Sequence, residues 1–186
     1  VKKPGKAKRG LKPARDEQGF GPHLADVDDA LGGLLADTAR DEGFAGAAGQ
    51  SFLMHSHGRI AARRVALVGV GDPAKLTVDG YRKLAACATK LAEKVKAKRV
   101  VLVLPEMGEL RADARIEAAA EGALLAAYRF SKYLTKDKEK SASSVEELEI
   151  AAAARSKVGA AAIDRARAIA DGVCLARDLV NEPAGV

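Results

Sequence analysis

Tryptophan is absent, and aromatic residues make up only 4% of the 186 residues. That excludes the stacked-ring platforms on which proteins hold single-stranded nucleic acid. Cysteine occurs twice, at Cys87 and Cys174, with no CxxC spacing. Two distant thiols beside apolar helical positions read as buried free cysteines of a reducing compartment, not as a disulfide framework or a catalytic thiol. No apolar run approaches about 18 residues, so no membrane helix is expected. The opening residues lack the apolar stretch of a secretory signal. Also missing are HExxH, a nucleophile elbow, a Walker lysine loop and any legible Ser/His/Asp arrangement. No catalytic, cofactor-binding or metal-binding residue is therefore assigned within this chain.

Acid is missing from one stretch. Residues 1–15 carry Lys2, Lys3, Lys6, Lys8, Arg9, Lys12 and Arg15 and no Asp or Glu, a charge of +7 against +6 for the whole chain. The remaining residues thus sum to −1, and the basicity belongs to one end. Such an end reads as a solvated Pro/Gly/Lys segment. The rival reading is a DNA-binding arm that works by counterion release.

What is present alternates short apolar runs with long helical patterns. Val27, Leu31, Leu34 and Leu35 recur at helical spacing between Asp26 and Arg40, with Asp26, Asp28 and Asp29 suited to a helix start. Gly32-Gly33 should weaken or break that helix by about 1 kcal/mol per glycine. Gln50–His57 alternates as a strand with Phe52 and Met54 on one face, and Gly58-Arg59 is the expected hairpin turn. Arg64–Gly71 and Arg99–Leu104 read as strands buried on both faces. Thr77 is placed to cap a helix to Lys96, striped by Val78, Tyr81, Leu84, Ala85, Ala88, Leu91, Ala92 and Val95.

A second helix is expected over Ala112–Leu134, its inner stripe Ile116, Ala120, Ala123, Leu124, Ala127 and Leu134. Residues 136–144 form a charged loop, and Val145–Ala151 a strand. The closing helix spans Ser156–Asn181, buried through Val158, Ala162, Ala166, Ile169, Val173, Ala176 and Val180. This order predicts an α/β sandwich with a mixed, largely parallel sheet. Residues 1–22 form an irregular basic segment, 23–180 one α/β domain and 181–186 the start of a linker. The last helix meets Pro183 with three residues to spare, so a further domain is expected to follow.

Four groups invite chemistry. Gly69 and Gly71 sit where phosphate-binding loops sit, but the third glycine is lacking and the helix starts late, so a tight turn is the simpler reading. His55 and His57 share a strand face with no third ligand in sight, and read as exposed histidines beside a turn. Glu117 and Glu121, at i and i+4, read as a solvated helix face. Asp178 beside Arg177 reads as a structural ion pair.

Five segments, taken in order, resemble one family. These are DDALGGLLADTARDEGFAGAAGQ (28–50), RRVALVGVGD (63–72), YRKLAACATKLAE (81–93), EGALLAAYRFSKYLT (121–135) and GVCLARDLVNEPAGV (172–186). Together they resemble the N-terminal, non-catalytic domain of the leucine (cytosol) aminopeptidases, although NEPAGV departs from the family's usual Asn-Thr-Pro-Ala-Asn. The resemblance implies a three-layer sandwich similar to macro domains, which raises an ADP-ribose-type nucleotide ligand as a further alternative. It implies that this hydrolase's two divalent ions, Zn or Mn, and its catalytic residues lie in a separate C-terminal domain of the same chain. It also implies a cytoplasmic homo-hexamer that acts on peptide substrates, with the N-terminal domain helping assembly and access. Some bacterial members also bind DNA, which keeps the basic arm in view.

Overall fold

The computed structural model describes residues 22–107, 109–133, 143–151 and 157–183. The basic segment up to residue 21 and most of the expected loop at 136–144 lie outside them. The elements are helices α1 (Pro22–Ala30) and α2 (Leu34–Asp41), strands β1 (Ser51–His55) and β2 (Arg64–Val68), and α3 (Val78–Lys94). Strand β3 (Arg99–Val103), α4 (Ala112–Ala127), β4 (Glu147–Ala151) and α5 (Lys157–Asn181) follow.

The expected first helix is two helices. Gly32 and Gly33 adopt φ of 71° and 84°, a left-handed step that side chains resist. Asp28 explains what the break achieves. Its buried carboxylate accepts a 3.1 Å hydrogen bond from the amide of Ala36, satisfying the open start of α2 from the helix before it. Arg59, from the hairpin, donates to the carbonyl of Leu31 at the break. The two helices and the hairpin enclose one core of Leu31, Leu35, Ala39, Phe52, Met54 and Leu67. Phe44 and Phe52 meet there at 6.3 Å between ring centres, tilted by 48°.

Strands β1 and β2 pair antiparallel, Ser51 opposite Val68 and His55 opposite Arg64. The tight turn centres on His57-Gly58, not on Gly58-Arg59. Those two residues have φ of 52° and 79°, and the Arg59 amide donates to the Ser56 carbonyl at 3.1 Å.

Helix α3 is capped as expected, with the Thr77 hydroxyl accepting from the Gly80 amide at 3.3 Å. Its Tyr81 is wholly buried, and the hydroxyl reaches the carbonyls of Pro105 and Met107 at 2.9 and 3.1 Å. Thr89 is buried on the same side, bonded to the Ala85 carbonyl at 2.9 Å. A stripe drawn from apolar residues alone omits it.

Strands β3 and β4 pair in parallel across α4, from Arg99 opposite Glu147 to Val103 opposite Ala151. Opposite charges mark the first rungs. Lys98 meets Glu146 at 2.8 Å, and Arg99 meets Glu147 at 2.7 Å. Neither β2 nor β3 is buried on both faces. In β2 only Leu67 is buried, and in β3 Val101 and Val103 are exposed. Among the described residues the strands form two two-stranded sheets, one antiparallel and one parallel.

Helix α4 is flanked by α3 and α5. Their shared core joins Tyr81, Leu84, Ile116, Ala119, Ala123 and Ala162 to Leu102 and Leu104 of the β3 region. A Cβ at Gly122 would stand 2.2 Å from the carbonyl oxygen of Arg82, so the α3–α4 crossing demands glycine. On α5 the expected inner residues Ala162 and Ala166 are buried, whereas Val158, Ile169 and Val180 are exposed and Ala170 takes an inner place.

Candidate functional site

Helix α4 ends seven residues before the expected Leu134, which itself lies outside the described residues. Tyr128 turns extended, with φ −58° and ψ 134°. Two interactions account for the stop. Arg129 folds back to donate to the carbonyls of Ala126 and Tyr128, at 2.9 and 2.8 Å, closing the helix end. Tyr128 is drawn across to α5, where its hydroxyl donates to Asp178 at 2.7 Å.

Residues 128–133, YRFSKY, then form a clamp on the last turns of α5. The guanidinium of Arg177 lies 5.4 Å from the centre of the Tyr128 ring and donates to the Leu125 carbonyl at 3.3 Å. Lys132 pairs with Glu182 at 2.5 Å, and the Tyr133 hydroxyl donates to the same carboxylate. The Asp178 carboxylate, and then burial, raise the Tyr128 phenol above its ordinary range. Glu182 raises Lys132 and Tyr133, while Lys132 and then Tyr133 hold Glu182 below the usual carboxylate range. The clamp is chemically suited to fixing the direction in which α5 leaves the domain. It has no nucleophile or general base poised over a cleft.

Beneath it, Arg82, Arg129 and Arg177 border an open hollow of about 410 Å³ floored by Gly122, Leu125 and Ala126. Their charges are already engaged. Arg82 meets Glu121 at 2.5 Å, Arg129 meets Glu93, and Arg177 holds a carbonyl and a ring. Arg82 and Arg129 are thus tied into ion pairs between helices at the edge of the hollow.

The residues singled out in the sequence fall as follows. Glu121 is not solvated: it is 3% exposed and paired with Arg82 of α3. Glu117 turns the other way, to Arg165 of α5 at 2.8 Å. The two acids pin α4 to both neighbours instead of sharing a task. Asp178 bonds to Tyr128 and not to Arg177. His55 ends β1 and His57 sits in the turn itself, both exposed, so they do not share a strand face, although their ring centres are 6.0 Å apart. Cys87 and Cys174 are free, and half-buried instead of fully buried.

Gly69 and Gly71 face residues 46–50. The Gly69 amide donates to Gln50 at 2.7 Å and the Gly71 amide to Gly46 at 2.9 Å. A Cβ at Gly69 would lie 2.1 Å from the Ala47 carbonyl. Both amides of the would-be phosphate cradle are spent on a neighbouring loop. Among the described residues no group of three or more His, Cys, Asp or Glu could hold a metal ion.

Tyr128, Lys132, Tyr133 and Glu182 lie in the segments that carry the family resemblance, but the sequence alone gives them no role. The one signal was a polar-aromatic run, YRFSKY, directly after an alanine-rich helix.

The description "Cytosol aminopeptidase family, N-terminal domain" fits residues 13–137. A probable cytosol aminopeptidase of Syntrophotalea carbinolica is 36% identical over 168 residues, covering 89% of this chain and 34% of that protein. One from a Synechococcus species is 36% identical over 171 residues, covering 89% of this chain and 33% of that protein. A tomato leucine aminopeptidase mutant superposes with a TM-score of 0.76 at 28% identity, covering 91% of this chain and 33% of that one. The bottromycin maturation enzyme BotP in complex with Mn superposes at 0.66 with 30% identity, covering 80% and 29%. The chain thus spans about a third of the length of the relatives it matches.

Proposed function

The chain belongs to the cytosol aminopeptidase family as its N-terminal domain, and from that premise we propose that it serves as the non-catalytic assembly and regulatory domain of a metal-dependent leucyl aminopeptidase. In this reading residues 1–22 are a basic arm, 23–180 the domain, and 181–186 the start of a linker. That linker leads to a C-terminal catalytic domain in the same chain. The observation that carries the reading is the match of this one domain to a third of several aminopeptidases. The clamp on α5 supports it, since it holds the final helix turn in a set direction.

The residues described do not fit a two-metal centre, because no three of them converge as ligands. The two divalent ions, Zn or Mn, belong in this reading to the catalytic domain. Mn is the ion named with one structural neighbour. Ions of that kind supply an activated water and a positive centre for the tetrahedral intermediate. What this domain supplies is a rigid mount, built from the α3–α4–α5 slab. A cytoplasmic homo-hexamer acting on peptide substrates belongs to the same proposal, as does the three-layer, macro-like arrangement with a mixed, largely parallel sheet. The parallel β3–β4 crossover through α4 supports that arrangement. No helix among the described residues is long and apolar enough to cross a membrane.

The test is hydrolysis of leucine p-nitroanilide with added Mn²⁺ or Zn²⁺. Residues 1–186 should be inactive, and the same chain carried on into a catalytic domain should be active. Turnover by residues 1–186 alone would overturn the reading, and so would an inactive longer chain.

A further inference from the structure

Helix α5 is buried along Gly159, Ala162, Ala166 and Ala170, against the slab. The apolar surface continues past that buried line, round one side of the helix. Ile169, Leu175, Leu179 and Val180 are 46, 59, 66 and 84% exposed. With Gly172 and Ala176, also exposed, they occupy an arc of about 140° at 100° per residue. No charged residue falls in that arc between positions 168 and 180. A surface helix ordinarily shows water a polar face. An apolar arc that runs on well past the part its own slab covers leaves surface for a second body, and an uncharged ridge of this size marks an interaction surface.

We propose that this ridge is the seat of the catalytic domain of the same chain, packed against the uncovered part of α5's apolar side. The proposal rests on the reading above and adds to it the surface and the residues. Three observations select this occupant. Exposure rises steadily from Ile169 to Val180, so the surface to be covered lies next to the junction at Glu182-Pro183. The matched relatives are about three times as long as this chain, so a body of roughly twice its size must be accommodated. The clamp holds Asp178 and Glu182 on the same last turns, which fixes the ridge's angle to the junction. A second copy is the weaker fit, because ridge against ridge would bring together no charged pair to set a register.

Leu179→Cys, labelled with a maleimide against the background of Cys87 and Cys174, reads the surface directly. In residues 1–186 it should react quickly. In the longer chain it should react at least ten-fold more slowly. Leu175→Lys and Leu179→Lys should leave thermal unfolding of residues 1–186 unchanged, since both side chains face water. In the longer chain each should restore fast labelling at Val180→Cys and reduce leucine p-nitroanilide turnover by ten-fold or more. Equal labelling rates in the two chains would overturn the proposal. So would residues 1–186 sedimenting as a dimer that Leu179→Lys dissociates, with no added protection in the longer chain, since the occupant would then be a second copy. Failure of the two ideas is separable. A protected ridge on an inactive longer chain sinks the enzyme reading alone, and an active chain with an unprotected ridge sinks the docking alone.

Discussion

Residues 22–68 invest their buried area in large side chains: Leu31, Leu35, Phe52, Met54 and Leu67. Where α4 meets its neighbours, the buried residues are instead Ala85, Ala119, Ala123, Ala162, Ala166 and a glycine at 122. Small residues bury little area each, but they let backbones approach closely. The slab then adds long-range polar ties, Glu121 to Arg82 and Glu117 to Arg165. The hairpin region is thus sensitive to losing volume and the slab to gaining it. A mount that must keep one geometry gains from the second kind of packing, in which backbones set the spacing.

Paired substitutions break this contrast most sharply. Phe52→Ala should cost about 3–5 kcal/mol in urea unfolding, the usual loss for a buried aromatic. Gly122→Ala should cost about 3 kcal/mol, the upper end for overpacking, because its new methyl meets the Arg82 backbone and not a flexible side-chain tip. An alanine-for-glycine change in a helix interior would otherwise stabilise by about 1 kcal/mol. A stabilised Gly122→Ala protein would show that the α3–α4 crossing yields, and the contrast would fall.

A smaller effect sharpens the same point. Glu121→Ala should destabilise by about 1–3 kcal/mol, since it removes a charge-assisted bond and leaves a gap between α3 and α4. Arg82 is partly open to water and can rehydrate, which keeps the loss below that of a stranded buried charge. Glu117→Ala, at a more exposed pair, should cost less than about 1 kcal/mol. Equal losses at the two sites, measured in the same denaturant series, would refute the role given to burial.

The sequence made the helices legible because their periodicity is strong and their ends are signalled: Thr77 caps α3, and Gly32-Gly33 breaks the first pattern. It also placed β1, β4 and the small-residue character of α4. It misled at β2 and β3. A short continuous apolar run does not say how many faces are covered, and Val101 and Val103 prove exposed. Glu121 read as solvated because its partner lies 39 residues away on another helix. The end of α4 was misplaced for a related reason. No glycine or proline stops the helix at Tyr128; Arg129 closes its end, and Asp178, 50 residues on, draws Tyr128 away. The clamp is illegible because its ties to α5 join residues about 50 positions apart.

The smallest expected effect lies in that clamp, and its sign follows from the shifts. Glu182 is held below the ordinary carboxylate value by Lys132 and Tyr133, so its contribution is present above about pH 4.3 and is lost as pH falls through its lowered folded value. Lys132 is raised by Glu182, so its contribution is present below about pH 10.4 and is lost as pH climbs through its raised folded value. The clamp should therefore hold across the neutral range and loosen at both extremes. Lys132 is more than half exposed, so salt should weaken the pair. The check is the difference in melting temperature between the natural chain and Glu182→Gln. It should stay flat between about pH 5 and 9, shrink in acid, and shrink again in molar salt. A difference that survives strong acid would mean that Glu182 acts through packing, and the exit of α5 would then be set by Tyr128 and Asp178 alone.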